Sequence, residues 1–192
     1  MTVVDYTLEF AAASSDLDSA RNLGRALKGA VYADDRDEWS HLPFRALVTG
    51  VSDDLDVMTG VADVGLYVVC RRLIKPGVPG VIGLFPLIHH PQKTHQEADA
   101  HWRDVHAPLA LEHHGFMTHY TQLSVVHRLS GLALDGFALC GFKSLEDLRQ
   151  RFYTRPESRE VIAADIQRFA DTANSPRRLI VTETRFSAEQ QA

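Results

Sequence analysis

The stretch KPGVPG, residues 75–80, sets two prolines and two glycines in six positions, and neither a helix nor a strand continues through it. It divides the 192-residue chain into an N-terminal α/β segment, residues 1–76, and a longer part, residues 77–186, followed by a polar tail at 187–192. The longer part is the more regular. VIGLFPLIHH reads as a strand, placed at a sheet edge or bulged because Pro86 has no N–H to donate. Thr94 and Glu97 have capping-box spacing and open a helix with Ala98, Trp102, Val105 and Leu109 on one stripe. Pro108 kinks that helix or begins a second segment, and Gly115 ends it. FMTHYTQLSVVHRL and GFALCGF follow as strands around the turn SGLALDG. Ser144 caps a short helix, Pro156 starts another, and RRLIVTETRF closes as a strand. The order strand, helix, strand, strand, helix, strand predicts an α+β fold, a ferredoxin-like plait with its helices on one face of an antiparallel sheet. The other sheet face is then apolar and is covered by a second sheet, from another subunit or from the same chain.

The first part begins in the same way. In VVDYTLEF the set Val4, Tyr6, Leu8 and Phe10 has period two and is expected on a buried face. Leu17, Ala20, Leu23 and Leu27 follow at helical spacing after a cap at Ser15 or Asp16, with Gly29 as a stop. YADDRDEWSH reads as an exposed loop, and FRALVTGVS and VGLYVVCRRL as strands. This part is therefore a candidate degenerate plait. A net charge of −5 without an arginine and aromatic run argues against a nucleic-acid partner, and no apolar stretch is long enough to span a bilayer. The first ten residues lack the pattern of a secretion signal. Cys70 and Cys140 sit in apolar runs without metal-ligand spacing and read as buried thiols, so the expected location is the cytoplasm.

Five of the ten histidines lie in HWRDVHAPLALEHHGFMTHY, residues 101–120. Their spacing does not favour a metal. On a regular α-helix His101 and His106, five apart, lie about 140° apart, and His113 and His114 also diverge. A site drawing on His89, His106 and His119 would need the fold to assemble it. His106 stands one turn after Trp102, whose indole can shield the imidazole, and suits a general acid or base at the edge of an apolar cavity. It equally suits a structural hydrogen bond at the break before Pro108. Arg103, His106 and His113 fall near one face, with Asp99 placed to neutralise Arg103; His101, His113 and His114 otherwise read as polar-face residues. His119 and Tyr120 point to opposite faces of their strand. Asp165, in the apolar helix VIAADIQRF, either orients a histidine or pairs with Arg168 or Arg178.

Residues 81–186 resemble the EthD family of dimeric α/β-barrel proteins. The resemblance rests on EADAHWRDVHAPLA, with its Trp102-x-x-x-His106-x-Pro108-Leu109 core, on Gly115 and Tyr120-x-Gln122, on LDGFALCGFKSLEDL, and on AADIQRFAD before a strand bearing Glu183. It implies a barrel of paired plaits, a homodimer, and a histidine at the position of His106. It also implies a choice among accessories of oxidative degradation, cofactor-free enzymes acting on polyketide-like or aromatic molecules, and haem-binding barrels.

No phosphate-binding glycine loop, nucleophile elbow or paired catalytic cysteine is present. The expectation is a cofactor-independent lyase, cyclase or isomerase acting by general acid–base chemistry on a hydrophobic small molecule, with no metal. His106, Tyr120, His89 and Asp165 are the catalytic candidates; Trp102, Arg103, His113, His119 and Phe85 are the substrate-binding ones. The alternatives are a non-catalytic binding or accessory protein and a haem-binding barrel.

Overall fold

The computed structural model of the chain describes residues 6–36 and 42–187. Val4, Trp39 and the tail at 188–192 lie outside the described residues. The first part runs β1 (Tyr6–Ser14), α1 (Leu17–Leu27), β2 (Ala30–Ala33), β3 (Ala46–Gly50), α2 (Asp56–Thr59) and β4 (Gly65–Lys75). The second runs β5 (Val81–Leu87), α3 (His95–His101), a π-helical turn (Trp102–His106), α4 (Ala107–His113), β6 (His119–Gly131), β7 (Gly136–Phe142), α5 (Leu145–Gln150), α6 (Pro156–Ile166) and β8 (Leu179–Arg185).

The eight strands form one closed antiparallel barrel in the order β1-β3-β2-β8-β5-β7-β6-β4. Within the first part the order is β4-β1-β3-β2, and within the second it is β8-β5-β7-β6, the same pattern twice. Two ladders join the parts: β4 with β6 from Gly65↔Gly131 to Lys75↔Tyr120, and β2 with β8 from Ala30↔Arg185 to Ala33↔Thr182. Closure removes every free sheet edge, and here a single chain supplies it.

Alternation along the strands sends one set of side chains inward and the other to the helices. Ala11, Tyr32, Leu47, Tyr67, Ile82, Leu123, Phe137 and Leu179, one from each strand, meet inside the barrel, where the rings of Tyr67 and Phe44 pack edge-on against Phe137. The interior is thus filled with side chains rather than open. Outside it, α1 covers β1, β2 and β3 through Ala20 and Leu23. The helices of the second part cover β5, β6 and β7 through Trp102, Ala107, Ala110 and Leu148.

Several local expectations change in the barrel. Tyr6 and Leu8 are exposed, and the buried part of β1 is its later run Ala11–Ala13, because β1 extends past the pairing that would cover its start. Asp16 is the cap of α1, accepting from the Ser19 amide at 2.7 Å, while Lys28 rather than Gly29 takes the left-handed turn that ends it. Gly29 is needed for space: a Cβ there would meet the Thr49 carbonyl oxygen at 2.0 Å. Tyr32 and Ala33, read as the start of an exposed loop, belong to the buried strand β2. Pro86 is neither at an edge nor at a bulge. β5 is central, but its ladder to β8 covers only Ile82–Leu84, so the imide nitrogen of Pro86 lies past that ladder. Cys140 is buried and Cys70 half-buried; both are free thiols.

Phe137 is fully buried and touches the rings of Phe44 and Tyr67 from the first part of the chain. Phe137→Ala is expected to cost about 3–5 kcal/mol, read as a lower midpoint in urea unfolding with an unchanged slope.

Candidate active site

The segment from His95 to His113 is one helix with a widened turn at its centre. Its start is a complete capping box, with the Glu97 amide donating to Thr94 Oγ1 at 3.2 Å and the Thr94 amide donating to Glu97 Oε2 at 2.8 Å. Pro108 has no N–H for the regular ladder, and just before it the Ala107 amide reaches back five residues to the Trp102 carbonyl. Single π turns of this kind interrupt α-helices where a ladder bond is lost, often at functional sites. The Trp102 carbonyl also accepts from Gln122 Nε2 at 3.0 Å, so β6 braces the turn.

The wide turn decides what the histidines do. A five-residue hydrogen-bonded loop brings residues five apart to nearly the same face. His101 and His106, divergent on a regular helix, both reach one carboxylate: His101 Nε2 lies 2.8 Å from Asp165 Oδ1, and His106 Nδ1 lies 2.8 Å from Asp165 Oδ2. Asp165, on α6, is buried and pairs with these imidazoles rather than with Arg168 or Arg178. The rings pack on Phe169, with centroids at 5.4 Å for His101 and 5.0 Å for His106.

With Nδ1–H donated to Asp165, the nitrogen of His106 left for a ligand is Nε2. His106 lines a largely apolar cavity of about 120 Å3 between the helices and the outer face of the sheet. Phe85, Trp102, Tyr120, His114, Phe152 and Phe169 share that lining. The ligand space is therefore outside the barrel, not within it. An apolar cavity of about 150 Å3 is known to admit benzene, so this one fits a ring and is too small for a porphyrin.

Tyr120 lines the same cavity. Its phenolic oxygen accepts from Trp102 Nε1 and Gln122 Nε2, each at 3.1 Å, which leaves its own O–H free to donate. Burial drives its pKa well up, so the phenol stays protonated. Behind it runs a polar chain anchored on Arg72, a residue not among the candidates. Arg72 Nη1 donates to Gln122 Oε1 at 3.3 Å and Nη2 to Asp99 Oδ2 at 2.5 Å, while Ser124 donates to Asp99 Oδ1 at 2.6 Å. The alternation in HYTQLSV, residues 119–125, already puts Tyr120, Gln122 and Ser124 on one face. Gly136 completes the wall, since a Cβ there would lie 2.6 Å from the Trp102 indole.

Burial holds His106 below its ordinary value; Asp165 opposes that shift and the charge of His101 adds to it. His114 is pushed down to about 4, chiefly by burial, although its Nδ1 lies 2.7 Å from the Phe152 carbonyl, to which it donates. The cavity thus holds neutral imidazoles near pH 7.

The other candidates lie elsewhere. His89 and His95 share the Asp135 carboxylate at 2.8 and 2.9 Å, and their ring nitrogens and this carboxylate lie within 4.8 Å of one another. This is the one such trio among the described residues, and it includes neither His106 nor His119. Asp135 raises His95, with burial opposing; burial pushes Asp135 up, but the two imidazoles and the His89 amide outweigh it and leave it low. Arg103 pairs with Asp104, while Asp99 binds Arg72 instead. His113 Nδ1 contacts Ser158 Oγ at 2.9 Å, away from the cavity. His119 points into one end of the barrel, beside Thr121. Phe85 and Trp102 alone of the substrate-binding candidates line the cavity with His106 and Tyr120.

Residues 90–173 match the family model of the EthD domain. No curated protein matches the chain. Among solved structures, an anthrone oxidase-like protein is 11% identical with a TM-score of 0.53, the match covering 94% of this chain and 92% of that one. A candidate monooxygenase from Lactobacillus acidophilus NCFM is 5% identical with a TM-score of 0.49, covering 93% of each chain. At such identities the first likeness is one of fold. Among the described residues no helix is long and apolar enough to cross a membrane.

A buried histidine with a depressed pKa makes the fold sensitive to acid. The unfolded chain takes up a proton at His114 as pH falls through 6.5, while the folded chain does not until about 4, so stability declines across that window. The expected contribution is up to about 3 kcal/mol, at roughly 1.4 kcal/mol per pH unit. His114→Gln is expected to flatten the dependence of unfolding free energy on pH between those limits, measured by urea titrations at a series of pH values.

Proposed function

We propose that this EthD-domain protein is a cofactor-independent enzyme that moves protons on a hydrophobic aromatic or polyketide-like molecule, with His106 as general base and acid. The observation that carries this is the His106–Asp165 contact at 2.8 Å beside an apolar cavity. A carboxylate on Nδ1 fixes the tautomer, leaves Nε2 basic and stabilises the imidazolium once it forms. Tyr120 faces the same space as a neutral donor.

In this reading Nε2 of His106 removes a proton from carbon next to a substrate carbonyl. The electron pair moves to the carbonyl oxygen, which the Tyr120 hydroxyl holds, and Asp165 balances the imidazolium. Return of the proton to another carbon is an isomerisation; loss of a leaving group from the enolate, or its attack on a second carbonyl, gives lyase or cyclase chemistry. Excluding water strengthens each of these charge contacts. His101, the second partner of Asp165, opens on an outer cleft with His90, Lys93 and Arg168 and offers the dyad a route to solvent protons. His89 serves in this reading with His95 and Asp135 as a support for the cavity wall at Trp102 and Phe169. The free thiols are in keeping with a cytoplasmic location. A homodimer of this chain joins through surfaces outside the barrel edges, which are already paired.

Once a substrate is in hand, His106→Ala is expected to lower kcat by about 10²–10⁴, and Tyr120→Phe to lower it with the fold intact by circular dichroism. Asp165→Asn is expected to lower kcat more than it raises KM. A loss below about tenfold in His106→Ala, with the bound ligand recovered unchanged after long incubation, would favour a binding or accessory protein instead.

A further inference from the structure

A second recess, about 600 Å3, adjoins the cavity and shares Phe85, Phe152 and Tyr153 with it. Its charge is one-sided. Arg149 on α5, Arg155 and Arg159 at the start of α6, and Arg178 before β8 all line it, and no acidic residue does. Among the described residues none of these four pairs with a carboxylate, whereas Arg36 and Arg151 nearby hold Asp34 and Asp147. In a chain of net charge −5 such a cluster is not the average surface. Arg178 ties the recess to the cavity, its guanidinium 5.8 Å from the Phe85 ring centroid and 5.9 Å from that of Phe152. Its pKa is depressed by burial, with Arg149 and Arg36 acting in the same direction and Tyr153 and Cys140 opposing. Cations held together in a half-sheltered place without counter-charge gain most from an incoming anion.

The size of the cavity points the same way. At about 120 Å3 it holds roughly one ring, so the remainder of a larger ligand must lie outside it, and the adjoining space is the arginine recess. We propose that cavity and recess form one composite site for an aromatic molecule with an anionic group, its ring beside His106 and its carboxylate or phosphate among Arg149, Arg155, Arg159 and Arg178. This rests on the cavity being the ligand site and adds the class of molecule it selects. Guanidinium groups bind both anions through paired N–H donors, and the recess sets the ring's orientation towards His106 Nε2 by fixing the tail.

The test is an NMR titration of the full-length protein with 3-phenylpropanoate, phenyl phosphate and the uncharged 3-phenylpropanamide. The anionic probes are expected to bind at least about tenfold more tightly than the amide, the worth of one good charged contact. That advantage is expected to shrink with added salt and to vanish in the double variant Arg149→Gln/Arg178→Gln, with amide binding unchanged. Ala138→Phe, which fills the cavity, is expected to abolish binding of all three. The stronger of the two anions identifies which group the recess takes. Equal binding of acid and amide, or an advantage that survives the double variant, would overturn the anionic site while leaving the cavity as a ligand site. Anion binding unaffected by Ala138→Phe would overturn the composite site, and failure of all three probes would overturn the cavity reading with it.

Discussion

The two ladders that join the halves of the chain, β4 with β6 and β2 with β8, govern the rest of the structure. Four strands alone leave two open edges and an apolar face. Pairing the halves uses all the edges and turns both apolar faces inward, where Tyr67, Phe137 and their neighbours fill the space. The middle of the barrel is filled by these side chains. The apolar cavity beside His106 lies instead in the outer layer, where helices of irregular contour meet the sheet. That the cavity sits between Trp102, His106 and the faces of β5, β6 and β7 is thus a consequence of closure.

Within that layer the decisive irregularity is the π turn before Pro108. Proline removes one ladder bond, the backbone widens, and residues five apart come to one side. His101 and His106 then share Asp165. A buried carboxylate gains from two hydrogen bonds what it loses in hydration, and the imidazoles gain a fixed tautomer. Gln122 binds the carbonyl at the mouth of the turn and also holds Tyr120, so the turn that carries His106 and the Tyr120 phenol depend on one brace.

The polar groups around the cavity are partitioned by their partners. Carboxylates are matched on the helix side: Asp165 by histidines, Asp99 by Arg72 and Ser124, and Asp135 by His89 and His95. Among the described residues the arginines at the outer mouth have no such match. In the proposed reading, hydrophobic packing receives the ring of a ligand, the His106–Asp165 pair takes its proton, and the arginines receive its anionic group. Each role follows from which residues found partners during folding and which did not.

The sequence alone determined the elements that local rules govern. Period-two and helical spacing located most strands and helices, the Thr94–Glu97 box fixed where the central helix starts, and the β-α-β-β-α-β order implied a plait. The resemblance over EADAHWRDVHAPLA singled out Trp102 and His106, and Phe85 and Tyr120 also reach their cavity. Tertiary structure decided the rest, because the deciding contacts join distant parts of the chain. The exposure of Tyr6 and Leu8 depends on where neighbouring strands end, and the strand at 30–33 exists because β3 and β8 flank it. Spacing separated His101 from His106 because it assumed a regular helix, and Arg72 gave no signal because its partners lie 27 and 50 residues away. Pattern along a chain reports which face a residue takes, whereas a carboxylate between two imidazoles or four arginines at one mouth arises only when separate elements are brought together.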